Sequence, residues 1–171
     1  MNKHSIITAI AIAVIVIPIA HSGLSIIGIQ QVEYRWDNPG QFSFFKMMNK
    51  GDIEFCNTMP FWISFEKLEL STFYQSKHLG SFVVEPLTVN PFSSAVQEGS
   101  FSSEEIAAAQ HILMTFDFEF NGGNIRLDPN QFIVVIHADT PILGIIPYSS
   151  TTQISGFEFY QMMNAEDLSC D

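Results

Sequence analysis

The stretch from residue 56 to residue 85 alternates apolar and polar residues on both sides of one short polar break. Alternation with a period of two is typical of a β-strand with one buried face. The break at residues 75–78 and Gly80 after it predict a turn between two antiparallel strands. The alternation changes phase near Glu66 and Lys67, which predicts a β-bulge at that point. The hairpin favours an antiparallel β fold for the whole chain.

Turn signals divide the remaining sequence into further short segments. One helix is predicted over residues 102–110, because Ser102 and Glu105 form a capping-box pattern before an alanine-rich run. Short strands separated by turn signals and broken once by a short helix predict an all-β, immunoglobulin-like or fibronectin-like antiparallel β-sandwich. Outside the hairpin, strands are expected at residues 26–36, 42–48, 53–56, 93–101, 112–120 and 132–137, with one or two more between residues 141 and 154.

The amino-terminal residues 1–29 have the composition of a targeting or membrane segment. Lys3 precedes an apolar run, and small residues up to Ser22 fit a signal peptidase site, so a cleaved signal peptide is one interpretation. An uncleaved signal anchor is the other, and it is favoured because apolar residues resume at Leu24. Lys3 would then place the rest of the chain outside the cytoplasm. We therefore expect a β-sandwich domain over residues 30–160 and an acidic tail over residues 161–171.

The charge distribution limits the partners of this domain. All 18 acidic residues lie at or after Glu33. Of the 7 Lys and Arg residues, Lys3 lies in the amino-terminal segment, so the domain has only 6 basic residues. Nucleic-acid binding requires clustered basic residues, and the sequence has none. The expected partners are the membrane, through the amino-terminal segment, and an envelope protein. The sequence does not indicate an oligomeric state.

Cys56 and Cys170 are the only cysteines in the chain. Outside the cytoplasm an even number of cysteines permits a disulfide, which would join the tail to an early strand. Two unpaired thiols are the alternative, since sequence alone does not give the distance between the two Cα atoms.

The sequence contains residues that could bind a metal, but not in a metal-binding pattern. Histidine and methionine side chains suit copper, yet their spacing matches no ligand motif. Asp128 and Asn130 offer too few oxygens for calcium. No Gly-x-Ser-x-Gly or phosphate-binding loop is present, so we expect no cofactor, no metal site and no enzyme activity. The residues weighed for copper are His78, His111, His137, Met47, Met48, Met114, Met162 and Met163.

Two segments of the hairpin resemble a known family. Residues 57–61 (NTMPF) and 73–80 (FYQSKHLG) are similar to the signature of the group-2 late embryogenesis abundant proteins, also called the water-stress and hypersensitive-response (WHy) domain. The resemblance covers residues 54–101, with Thr58 standing where the family has its first proline. It implies an immunoglobulin-like sandwich with one helix, often membrane-anchored, with a role in stress tolerance and no catalytic residues.

Together these features predict a membrane-anchored, extracytoplasmic, non-catalytic binding or structural module. The alternative is an accessory subunit of a membrane enzyme complex or a copper-handling envelope protein. Asn57 and Pro60 are expected to shape the start of the hairpin strand, and Gly80 to permit its turn. The candidate contact residues for a partner are Phe61, Trp62 and Tyr74.

Overall fold

The computed structural model describes residues 3–142, 146–168 and 170. Within this part, the chain forms four α-helices, one 3-10 turn at Pro129–Gln131 and nine β-strands. The helices are α1 (Lys3–Gln31), α2 (Phe44–Met47), α3 (Ile106–Phe120) and α4 (Gly156–Met163). The strands are β1 (Glu33–Trp36), β2 (Lys50–Asn57), β3 (Ile63–Phe65), β4 (Lys67–Tyr74), β5 (Lys77–Val84), β6 (Leu87–Val89), β7 (Ser93–Ser102), β8 (Phe132–Ile142) and β9 (Ile146–Ser155).

Seven of the strands form one antiparallel sheet in the order β1-β2-β7-β5-β4-β8-β9, and β3 pairs with β6 in a small second sheet. Helix α4 contacts both edges of the large sheet, β1 on one side and β9 on the other. The sheet is therefore curled, and α4 lies between its two edges. The prediction of a mostly antiparallel β fold is confirmed.

The predicted hairpin exists as β4 and β5, but its irregularities lie elsewhere than the sequence suggested. At Glu66 the chain passes from the small sheet into the large one, so the change of phase marks a change of sheet. The bulge lies opposite Thr72 and Phe73, where β5 carries one extra residue. The turn is made by Gln75 and Ser76, both at positive φ.

Gly80 lies within β5 and does not form the turn, which corrects the role predicted for it. A Cβ at this position would lie 2.2 Å from the ring of Phe101 and 2.6 Å from the carbonyl oxygen of Ser102. Only glycine avoids these contacts without a shift of the neighbouring strand. Gly80 therefore permits the close packing of β5 against β7.

The strand predicted at residues 112–120 is wrong, because this segment continues helix α3. Phe116 and Phe120 alternate with acidic residues, but they also continue a helical spacing that starts at Ala109 and Leu113. Ala109, Leu113 and Phe116 are buried on one helix face, and Phe118 is exposed. The segment is a helix because the helical spacing of buried residues extends over a longer stretch than the strand-like alternation does.

Other element boundaries also differ from the sequence prediction. Residues 26–31 belong to α1, because the apolar run continues as a helix, and β1 begins only at Glu33. Residues 44–47 form a helix, and the tail is helical through Met163. Ser102 ends β7 and does not cap α3, whose N-cap is Glu105 without a side-chain bond. A capping box does form at α4, between Ser155 and Glu158.

An aromatic cluster fills the interior between α2, α3, α4 and the start of β8. Phe116 stacks on Phe132 with ring centroids 4.3 Å apart. Phe44 lies edge-on to Phe132 at 4.9 Å. All three side chains are fully buried, and each contributes roughly 2–3 kcal/mol through removal of its apolar surface from water. This cluster fixes α3 and α4 against the sheet.

Asp117 joins α3 to the start of α2. Its two carboxylate oxygens accept hydrogen bonds from the backbone N–H groups of Phe44, at 2.7 Å, and Phe45, at 2.8 Å. Burial raises the pKa of Asp117 to about 6, although these two bonds act in the opposite direction. The loss of solvation outweighs them, and the carboxyl group takes up its proton more readily in the folded chain.

The raised pKa predicts how stability depends on pH. The folded chain retains the Asp117 proton that the unfolded chain releases near pH 3.8, so this stabilisation is present below that pH and is lost as pH rises towards 6. The unfolding free energy of the wild type minus that of Asp117→Asn should therefore fall by up to about 3 kcal/mol between pH 4 and pH 6.5. Denaturant unfolding at several pH values measures this difference. A difference that stays flat or rises would contradict the account.

Candidate functional site: an uncharged cavity between the sheet edges

A cavity of about 540 Å³ lies inside the curled sheet, between β1 and β9. This volume is within the usual range of small-molecule sites, roughly 300–1,000 Å³. The end of α1, the two edge strands and α4 all contribute to its wall. The lining residues are Ile29, Gln30, Val32, Tyr34, Phe55, Phe65, Leu68, Ile136, Ala138, Ser150, Thr151, Thr152, Ile154 and Met162.

The cavity wall contains no Asp, Glu, Lys, Arg or His among its described residues. Its buried members, such as Phe55, Phe65 and Leu68, are apolar. The polar residues Gln30 and Thr152 are exposed, so they lie towards the solvent opening. The cavity is therefore apolar in its depth and polar at its mouth, an arrangement suited to a molecule with an apolar body and a hydrogen-bonding end.

Tyr34 keeps the β1 side of the cavity neutral. Its ring packs on Phe55 with centroids 5.9 Å apart. Burial raises the pKa of the Tyr34 hydroxyl far above its ordinary value. The side chain still has some accessible surface, because it borders the cavity. At physiological pH the hydroxyl can donate a hydrogen bond without introducing charge.

Close packing of α1 against the domain places Ile29 and Gln30 at the cavity. A Cβ at Gly28 would lie 2.6 Å from Cγ1 of Ile63 and 3.2 Å from Cε2 of Phe61. Glycine therefore lets the last turns of the helix approach β3 closely. The same helix is long and apolar enough to cross a membrane over Ser5–Gln31, which makes it a candidate anchor or signal sequence.

The carboxyl-terminal tail runs from α4 to the outer side of β2 and holds the helix in place. Cys56 and Cys170 form a disulfide with their Cα atoms 5.3 Å apart. Arg35 forms an ion pair with Glu54 at 2.8 Å and donates hydrogen bonds to the backbone carbonyls of Ala165 and Glu166. Met162 of α4 lines the cavity, so the tail fixes one part of the cavity wall.

The predicted motif residues separate into two groups. Asn57, Phe61 and Trp62 lie together beside the end of α1, with the Asn57 side chain bonded to the Phe61 carbonyl oxygen at 2.8 Å. Pro60 lies in the same exposed loop. Tyr74 packs against Phe116 with centroids 5.5 Å apart, in the aromatic cluster.

The histidines weighed for copper lie on different elements. His78 bonds to the hydroxyl of Ser81 on β5. His111 is exposed on α3. His137 contacts Thr151 and Asp139 on the outer face of β8. Among the described residues no group of three or more His, Cys, Asp or Glu side chains could hold a metal ion.

The pair weighed for calcium has a structural role. The Asp128 carboxylate accepts hydrogen bonds from the backbone N–H of Asn130, at 3.1 Å, and from the Gln131 amide, at 2.8 Å. These bonds lower the pKa of Asp128, the Gln131 bond most of all. The side chain caps the 3-10 turn that leads into β8.

A second cavity, of about 410 Å³, lies beside the carboxyl end of α3. Glu119 borders it and is buried; its Oε1 accepts bonds from the backbone N–H groups of Arg126 and Leu127. Within the described residues its Oε2 has no hydrogen-bond partner. The bonds of Oε1 indicate that Glu119 organises the loop after α3.

Sequence reasoning did not find the main cavity. Its one visible signal is on β9, where Ser150 and Thr152 occupy positions that face the interior. Small polar residues opposite Ala138 and Ile136 leave space that larger side chains would fill.

No family model matches the chain, and no curated protein matches it. Seven chains of solved structures are similar to it. One is a protein from Archaeoglobus fulgidus, at 11% identity, with 72% of this chain and 94% of that chain covered and a TM-score of 0.34.

Proposed function

We propose that this protein is a membrane-anchored, non-catalytic binding module that holds an amphiphilic molecule, with its apolar chain in the cavity and its polar end at the mouth. The observation that carries this proposal is an uncharged cavity whose wall includes Ile29 and Gln30, at the end of the apolar helix α1. A molecule leaving the lipid phase beside α1 would reach the cavity over a short distance.

Membrane anchoring of the domain is supported by helix α1. Its Ser5–Gln31 segment contains no Asp, Glu, Lys or Arg and is long enough to span a bilayer. Lys3 before this segment supports a location of the domain outside the cytoplasm. The Cys56–Cys170 disulfide supports the same location, because such bonds persist in oxidising compartments. Cleavage near Ser22 would instead give a secreted form.

We also propose a remote relationship to the WHy domain family. It is supported by the β4–β5 hairpin and by the position of Asn57 before it. In this proposal the large curled sheet and the small β3–β6 sheet are the two layers of a distorted immunoglobulin-like sandwich. A role in stress tolerance is supported by the resemblance alone. No contact among the described residues favours copper handling or an enzyme-accessory role.

Photo-crosslinking tests the binding function. The full-length protein is reconstituted in vesicles that contain a palmitic acid analogue with a diazirine on its chain, irradiated and digested. We expect crosslinks in two regions: residues 6–24, from lipid around α1, and the cavity-lining parts of β1, β8 and β9. The first region serves as an internal reference for membrane insertion.

Two neighbouring positions on β9 provide the test variant and its control. Thr152 lines the cavity, whereas Gln153 pairs with Val135 and lies outside the cavity lining; both side chains are exposed. Thr152→Phe should lower crosslinking of the cavity strands about tenfold, which corresponds to about 1.4 kcal/mol. Gln153→Phe should leave it unchanged. Labelling confined to α1, or equal labelling in both variants, would refute the proposal.

A further inference from the structure

Several stretches of the chain are free of Asp, Glu, Lys and Arg, although the domain is strongly acidic. Four of them are residues 5–32, 57–65, 86–97 and 140–148, the last being the first half of a stretch that ends at residue 157. In a domain with 18 acidic residues, uncharged stretches that meet in the fold form a surface without charge. The first of them is the candidate membrane helix.

The structure brings these segments together at the end of α1. Gly28 packs against Phe61 and Ile63, which joins the first segment to the second. The Trp62 ring N–H donates to the Asn90 side chain at 3.1 Å, and the Phe92 backbone N–H donates to the Met59 carbonyl at 3.3 Å. These two bonds hold the third segment beside the second.

The fourth segment reaches the same end through β8. The hydroxyl of Thr140 donates to the Ser64 carbonyl at 2.9 Å. Beyond it, Ile142 pairs with Ile146 at the start of β9. The paired residues Ile142 and Ile146 therefore lie at the end of the sheet where β8 meets β3, the strand that follows the loop carrying Trp62.

Large apolar side chains are exposed on this end of the domain. Trp62 is 53% exposed, Phe92 57% and Ile146 54%. Phe92 also has φ at +47°, which is costly for a bulky residue and persists only where the surroundings impose it. We call Trp62, Phe92 and Ile146 the apolar collar.

The length of α1 places the apolar collar at the level of a membrane surface. The 27 residues of Ser5–Gln31 rise about 40 Å, roughly 10 Å more than the hydrocarbon core of a bilayer. The last turns, which contain Gly28, therefore lie in the headgroup region. Tryptophan and other aromatic side chains are favoured there.

We propose that the apolar collar rests in the headgroup region of the bilayer that α1 spans, and so fixes the domain against the membrane surface. The uncharged segments explain how an acidic domain tolerates this position, since the segments that carry the apolar collar contain no carboxylate. This proposal rests on the membrane anchoring proposed above. It adds a second membrane contact that is independent of the cavity.

Tryptophan fluorescence gives a direct test, because the chain has only 2 tryptophans and Trp36 is buried. The full-length protein is reconstituted in zwitterionic phosphatidylcholine vesicles with and without lipids brominated on the upper part of their acyl chains. We expect these lipids to quench the wild type and to leave Trp62→Phe, which retains only Trp36, nearly unquenched. Aqueous iodide should quench Trp62 less in vesicles than in detergent.

A matched control places a tryptophan at the opposite end of the domain. Phe118 on α3 is 54% exposed, almost the same as Trp62. The double variant Trp62→Phe, Phe118→Trp should be quenched by iodide and not by brominated lipid. Equal quenching of wild type and Trp62→Phe by brominated lipid would show that the apolar collar does not contact the membrane.

Alkaline extraction separates this failure from failure of the anchoring. If the protein remains in the vesicles while Trp62 is unquenched, only the proposed membrane contact of the apolar collar is wrong. Release of the uncleaved chain at high pH would contradict both the membrane anchoring and this contact.

Discussion

Replacement of Asn57 by alanine is expected to lower the free energy of unfolding by about 3 kcal/mol. The Asn57 side chain is fully buried between two loops. Its amide nitrogen donates to the carbonyl oxygens of Phe61, Asn90 and Val89, and its oxygen accepts from the backbone N–H of Met59 at 2.9 Å. Alanine would leave these backbone groups without their side-chain partner in the interior.

Denaturant unfolding of the detergent-solubilised protein measures this loss. Asn90→Ala is the matched control, because the Asn90 side chain is exposed and its one side-chain bond among the described residues is to the Trp62 ring N–H. It should cost less than about 1 kcal/mol. Asn57→Asp keeps the shape but removes the donors, and it should resemble Asn57→Ala. A cost below 1 kcal/mol for both Asn57 variants would show that the loops do not depend on this side chain.

Removal of the disulfide by Cys170→Ser should lower stability by about 4 kcal/mol under oxidising conditions. The bond joins residues 114 positions apart, so it greatly restricts the unfolded chain. Cys170 is the preferred position for substitution because it is half-buried, whereas Cys56 is fully buried.

Reductant provides the control for this second prediction. Reduced wild type should unfold at the same denaturant concentration as Cys170→Ser, and reductant should not affect the variant. Proteolysis should also cut residues 165–168 faster once the tail is released, because the disulfide no longer holds its end and the Arg35 bonds reach only the carbonyls of Ala165 and Glu166. An unchanged unfolding midpoint on reduction would contradict the role given to the tail.

The parts of the fold that sequence reasoning predicted correctly are those set by local patterns. The β4–β5 hairpin follows from its alternation, and β7 follows from residues 93–101. The second half of helix α3 was predicted as a strand because Phe116, Phe118 and Phe120 recur every second residue. Phe116 and Phe120 are instead packed in the aromatic cluster, and this contact selects the helical period over the strand period. Local pattern alone could not show that contact.

The cavity could not be predicted for a related reason. Tyr34 on β1 and Thr152 on β9 are far apart in sequence, and they border one space only because the sheet curls. The position of α4 between the two sheet edges also depends on contacts between residues that are far apart in sequence. Asn57 is the last residue of β2, and its bond to the β6–β7 loop could not be predicted from local pattern.

The most direct test of the binding function is native mass spectrometry of the full-length protein released from lipid nanodiscs. The account predicts that the wild type and Gln153→Phe each retain one amphiphile-sized adduct after the lipid around α1 has been stripped. Thr152→Phe should retain none, because its side chain enters the cavity that Thr152 lines. Loss of every adduct from the wild type, or equal retention by Thr152→Phe, would contradict the proposed function.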